Sequence, residues 1–240
     1  MADFLNTLLF GIYPYVALAM LAAGSIIRYD REPYTWRSGS SQLLRRRQLM
    51  WGSILFHVGV LVILLGHVVG LLTPIALFDL LGISHGAKQL LAIIAGGVAG
   101  VMAIVGASLL VHRRLFDPRV RASSRFTDTA IIVLLWIQLA LGLMTIPLSL
   151  QHLDGEEMVK FMGWAQGIFT FQGDAAGHIA DVHPIFKLHL LLGLTILLLF
   201  PFTRLVHMLS APVRYLWRPG YQVVRSRSRG ARPARARTGS

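Results

Sequence analysis

His183–Leu209 reads HPIFKLHLLLGLTILLLFPFTRLVHML. The run is long enough to cross a hydrocarbon core of about 30 Å, for which about 20 apolar residues suffice. It carries a histidine near each end, His189 and His207. An ionisable side chain inside a membrane span is costly and marks a functional site by default. A second run, WGSILFHVGVLVILLGHVVGLLTP, supplies a matching pair, His57 and His67. Counted over the whole chain, runs of this kind fall at about residues 5–26, 51–72, 89–111, 129–150 and 185–209.

The composition agrees: 55% of the 240 residues are hydrophobic and 14% charged, too few charges for the surface of a soluble domain of this size. The expected fold is all-α and integral to the membrane, with five transmembrane helices over residues 1–222 and a basic tail over 223–240. The absence of cysteine excludes disulfides, cysteine-ligated iron–sulfur clusters and the C-x-x-C-H attachment of covalent haem. The N-terminus lacks the basic n-region and small-residue cleavage site of a signal peptide, so it reads as the first, uncleaved span.

The net charge of +12 is unevenly placed. The first inter-span loop holds Arg28, Arg31, Arg37, Arg45, Arg46 and Arg47, and the third holds Arg113, Arg114, Arg119, Arg121 and Arg125. Nine more arginines follow from Arg204 onward, whereas the opposite side has only Lys88, Lys160 and Lys187. Cytoplasmic loops are the Lys/Arg-rich ones, so the N-terminus is expected outside and the C-terminus in the cytoplasm. This excess reads as topology and contact with anionic lipid or a partner, not as nucleic-acid binding. The first loop also carries Tyr34 and Trp36, suited to a membrane interface or to a docking surface for a cytoplasmic partner.

Several other positions bear on the site. Lys88 opens span three, where a lysine either snorkels to water or reaches head groups or a bound ligand. Gly96 and Gly100 form a small-x-x-x-small face suited to close helix packing, or to making room for a flat cofactor. Gln138 interrupts span four and is expected to bond a neighbouring helix. Residues 154–171 read as an interfacial helix roofing the bundle, capped by Asp154 with Glu157, its apolar stripe made of Met158, Phe161, Met162, Ala165 and Phe169. His85, His112, His152 and His178 read as boundary or surface groups.

Spans two and five run in opposite directions, so His67 and His189 share one half of the bilayer and His57 and His207 the other. Two neutral imidazoles at one depth can take both axial positions of a haem iron, whereas zinc needs more ligands than each pair offers. Spacing only partly supports this. Eighteen residues place His189 and His207 on one stripe of an ideal helix about 27 Å apart, against about 15 Å for His57 and His67. Pro201 is expected to kink span five between them.

The stretches IYPYVA, FHVGVLVILLGHVVGLLTP, RRLFDPRVRA, IQLALGLMTIPLSLQHLDG and FPFTRLVHM resemble the gamma subunit of membrane-bound respiratory nitrate reductase, a cytochrome b quinol oxidase module. The resemblance covers nearly the whole chain. It implies two noncovalent b haems, the outer held by His67 and His189 and the inner by His57 and His207, with quinol bound beside the outer haem near Lys88 and Gly66. Quinol oxidised outside would pass electrons inward to an iron–sulfur beta subunit and a molybdenum-containing alpha subunit that reduces nitrate, and the chain would sit in a bacterial inner membrane. Two rivals remain: the same module serving another cytoplasmic reductase, such as one of sulfur metabolism, and a haem-free transporter with a histidine proton relay. Against the transporter, the sequence has no inverted repeat.

Overall fold

The computed structural model describes residues 2–36 and 44–210; the basic tail at 223–240 and Arg37 lie outside them. The described residues contain helices and turns and no strand. Five helices are long and apolar enough to cross a membrane: span one Asp3–Arg31, span two Arg46–Leu72, span three His85–Phe116, span four Phe126–Ser149 and span five Pro184–Phe202. Helices satisfy every backbone group internally, which lipid demands. The helices of spans one to four extend past their apolar runs into the polar interface, and span three reaches Arg113 and Arg114.

Neighbouring helices follow the order two, three, four, five, one, each packing on the next. The tightest seam joins spans two and three. A Cβ on Gly59 would lie 2.6 Å from the Ala99 carbonyl oxygen, and one on Gly106 would lie 2.7 Å from that of Gly52. Small residues permit this approach of backbones. The sequence had pointed to Gly96 and Gly100 for this role. Gly96 instead faces open space, and Gly100 packs on Leu143 of span four, because span three turns Ala99, Ala103 and Gly106 toward span two.

A helix at Glu156–Phe169 roofs one end of the bundle, as its pattern suggested, but its details differ. Its N-cap is Gly155 with φ 85°. Asp154 accepts from the Glu156 N–H at 3.1 Å, while Glu157 pairs with Lys160 rather than closing a capping box. Phe169 is 56% exposed, and Trp164 and Ile168 are buried in its place. The buried arc is broader than one stripe because the segment 175–182 packs on it too, with Ala175, Ala176, Ile179 and Val182 in the same core.

Span five departs most from expectation. Its α-helix ends at Leu199, passes through a 3₁₀ turn at Phe200–Phe202 and leaves helical geometry at Thr203 with φ −118° and ψ 179°. A second 3₁₀ segment, Arg204–Ser210, carries His207. Proline removes an N–H and blocks continuation, so Pro201 breaks the helix outright where a kink was expected. His189 and His207 are thus on different segments and do not share a stripe of one helix.

Candidate functional site

Span two presents His57 and His67 to a cleft, facing His189 on span five and His207 on the 3₁₀ segment that follows it; span two packs on span three while span five packs on spans one and four. The imidazoles meet across it in two pairs. His67 and His189 have ring centres 6.2 Å apart near the roof end, and His57 and His207 have ring centres 6.3 Å apart near the arginine-rich end. The break after Leu199 removes the difference in rise that an unbroken span five would have imposed.

Hydrogen bonding orients three of the four rings. Nδ1 of His57 lies 2.7 Å from the Ser53 carbonyl oxygen, that of His67 2.8 Å from Ile63, and that of His207 2.5 Å from Arg204. A carbonyl oxygen only accepts, so Nδ1 bears the proton and Nε2 keeps its lone pair, the form in which imidazole binds a metal. His189 differs. Its Cε1 lies against Gly142, and its Nδ1 is buried without a partner among the described residues. Gln138 donates to the His189 carbonyl oxygen at 3.0 Å, the inter-helix bond expected of it, and its amide nitrogen is 3.5 Å from His189 Nε2.

The residues fit a bis-histidine haem. A metal–imidazole bond of about 2.0 Å and about 1.1 Å from nitrogen to ring centre, taken on both sides, separate the ring centres by about 6.2 Å. Both pairs stand at that separation. No three His, Cys, Asp or Glu side chains converge among the described residues, so each pair offers two ligands, the number that a porphyrin leaves to the protein.

Roof contacts tie span one to the end of span two. Trp164 Nε1 donates to the Phe10 carbonyl oxygen on span one at 2.8 Å, and Gln166 Nε2 donates to the Leu71 and Thr73 carbonyl oxygens at the end of span two at 3.1 and 3.0 Å. Lys160 Nζ donates to Asp181 at 3.0 Å and to Glu157 at 3.1 Å. These bonds raise the Lys160 pKa, Asp181 contributing most, and the bond from Lys160 lowers that of Asp181.

Lys88 does not snorkel. It is 8% exposed, its Nζ donating to Met162 Sδ and lying 3.8 Å from the centre of the Phe78 ring. Ile75, His85, Gly155, Met158 and Val159 complete a cavity of about 10 Å³, the room of one water molecule. Gly66 does not line this cavity; it faces open space beside His67. His85 pairs with Asp79 at 3.4 Å, while His112 lies 3.3 Å from Gln48 and His152 bonds the Leu148 carbonyl, as boundary groups do. Phe78, Met162, Trp164 and Gln166 were not singled out by sequence for these roles. Only Gln166, polar on an otherwise apolar interfacial helix, carried a visible signal.

The fold and the cleft define a multi-pass membrane protein that presents paired histidines between two of its spans. It belongs to the nitrate reductase gamma subunit family, whose model matches residues 6–227. The chain is 51% identical over 225 residues to the respiratory nitrate reductase 1 gamma chain of Escherichia coli, spanning 94% of this chain and 99% of that one. It is 48% identical to the respiratory nitrate reductase 2 gamma chain of the same organism, over 95% and 100% of the two chains. To the nitrate reductase gamma chain of Bacillus subtilis it is 37% identical, over 92% and 98%. The chain is thus a membrane subunit of a respiratory nitrate reductase, one part of an oxidoreductase complex.

Proposed function

We propose that this chain is the quinol-oxidising cytochrome b subunit of its complex, with His67 and His189 holding an outer haem and His57 and His207 an inner one. The observation that carries the reading is the pair of imidazole separations, 6.2 and 6.3 Å. The arginine-rich end faces the cytoplasm by the positive-inside rule, leaving the roof and the N-terminus outside and the tail inside a bacterial inner membrane. When bound, the haems supply one-electron transfer from quinol toward cytoplasmic iron–sulfur beta and molybdenum alpha subunits, where nitrate is reduced.

The chain's own residues orient and enclose. Carbonyls of Ser53, Ile63 and Arg204 fix the Nδ1 protons of their histidines, and such partners raise ligand basicity. The roof closes over the end of the bundle nearest the outer pair. Gly66, open beside His67, leaves the flat quinol ring room against span two. Lys88 donates a hydrogen bond to a quinol oxygen as its proton leaves to the outside. Its present cavity is too small for a quinol ring, so binding turns the Lys88 amine away from the unbranched, adaptable Met162.

The test is a reduced-minus-oxidised visible spectrum with extracted haem counted per chain. Two noncovalent haems are expected. His67→Ala or His189→Ala should lose the outer one, and His57→Ala or His207→Ala the inner one. Loss of the same haem from both sets would overturn the pairing, and a colourless wild-type protein made with ample haem would sink the whole reading.

A further inference from the structure

The loops at the arginine-rich end look interchangeable by sequence, yet one of their arginines is built into the bundle. Arg28 Nη1 donates to the carbonyl oxygens of Pro201 and Thr203 at 2.6 and 2.7 Å. Its other edge holds Thr35: Nε donates to the hydroxyl at 3.2 Å and Nη2 to the carbonyl oxygen at 3.1 Å. We infer that Arg28 is the positioning residue for His207, and through it for the inner haem; this rests on the haem assignment proposed above.

The break in span five creates the need. Once the chain leaves the helix at Thr203, the Pro201 and Thr203 carbonyls are no longer inside a regular α-helical ladder. Carbonyls left unpaired in or near the hydrocarbon are costly. Two donor hydrogens on one guanidinium nitrogen meet both, so the guanidinium sets the direction in which the chain continues. One turn earlier on the same face of span one, Gly24 makes the notch: a Cβ there would lie 2.7 Å from Pro201 Cγ. Gly24 and Arg28, four residues apart, therefore seat the break together.

From this seat to the ligand there is little slack. Thr203 is itself buried, and its hydroxyl accepts from the Leu205 N–H at 3.3 Å. Leu205 and Val206 are buried in one core with Ile131, Ile196 and Phe200. Trp36, just beyond Thr35, packs on the same core and meets Tyr29 edge-on at 5.3 Å. A shift of the Pro201–Thr203 carbonyls therefore moves the His207 ring, whose distance to His57 must match an iron. The ordinary reading of Arg28, a topology-setting cation with its head in water, does not account for four bonds directed into the protein. Lysine can replace it only in part, since a single ammonium lacks the planar fork that spans both sites.

The test uses the whole complex in its membrane, with potentiometric titration of both haems followed by visible and electron paramagnetic resonance spectra. Arg28→Met and Arg28→Lys should each shift the midpoint and spectral signature of the inner haem, or lose that haem, while the outer haem stays as in wild type; the lysine should rescue in part. Arg31→Met, which removes the same charge from an exposed neighbour, should change neither haem. Gly24→Ala keeps every charge, and by displacing Pro201 should give the same selective effect, so it decides the matter if Arg28→Met does not assemble. An inner haem indifferent to both Gly24→Ala and the Arg28 variants, equal disturbance of both haems, or an Arg31→Met effect like that of Arg28→Met would overturn the inference. A wild-type complex without two haems would instead refute the assignment on which it stands.

Discussion

Gly59→Ala tests how the histidines of span two are held. The added Cβ would lie 2.6 Å from the Ala99 carbonyl oxygen, 2.7 Å from the Ala103 nitrogen and 2.9 Å from the Ala103 Cβ. Ordinary contact begins at 3.4 Å, and two of these atoms are backbone, which cannot rotate aside. Spans two and three must therefore part by most of an ångström. Overpacking of this kind costs about 1–3 kcal/mol, and at about 2–4 °C per kcal/mol the melting temperature of the purified complex should fall by about 2–12 °C. Gly59 is two residues from His57, so the same movement should lower inner-haem occupancy; sites held looser than about 0.5 Å lose their geometry. Gly96→Ala, placed in open space, is the matched control and should leave both readings unchanged. The assay is thermal unfolding beside haem counting for the two variants. Should Gly59→Ala behave as wild type, or Gly96→Ala be the more harmful, the seam has been assigned to the wrong face.

Gln166→Leu removes both bonds to the end of span two and should cost about 1–3 kcal/mol, read as earlier thermal loss of the outer haem with the inner one retained. Trp164→Phe keeps most of the packing and loses one bond to Phe10, so about 1 kcal/mol is expected in the same measurement. Lys88→Ala should leave both haem spectra intact and abolish quinol-driven haem reduction, whereas reduction by dithionite should proceed; unchanged quinol oxidation would remove Lys88 from the site. Asp117 accepts from the Val120 and Arg119 N–H groups and pairs with Arg45, and these contacts, the Val120 bond first, hold its pKa below the usual 3.8. The stability it contributes is therefore present above about pH 3.8 and lost as pH falls through the lower folded value. Asp117→Asn should flatten that acid limb in a melting series against pH.

The existence of five spans, their approximate ends and the concentration of arginine at one end were determined by the sequence alone. Each depends on local properties: an apolar run of sufficient length must close its own hydrogen bonds in lipid, and charge placement needs no tertiary contact. Antiparallel spans also paired the four histidines by depth. Which face of a helix meets which neighbour was another matter. Gly59 and Gly106 rather than Gly96 form the tight seam, Lys88 turns inward onto Phe78 and Met162, and the roof buries Trp164 and Ile168 but not Phe169, because side-chain environment depends on partners distant in the chain. The clearest case is Pro201. A proline announces a disturbed helix, but its outcome was decided by Gly24 and Arg28, more than 170 residues away. They take up the proline ring and the freed carbonyls, and so set where the chain goes after the break. That break brings His207 to 6.3 Å from His57, where spacing along an ideal helix would not have placed it.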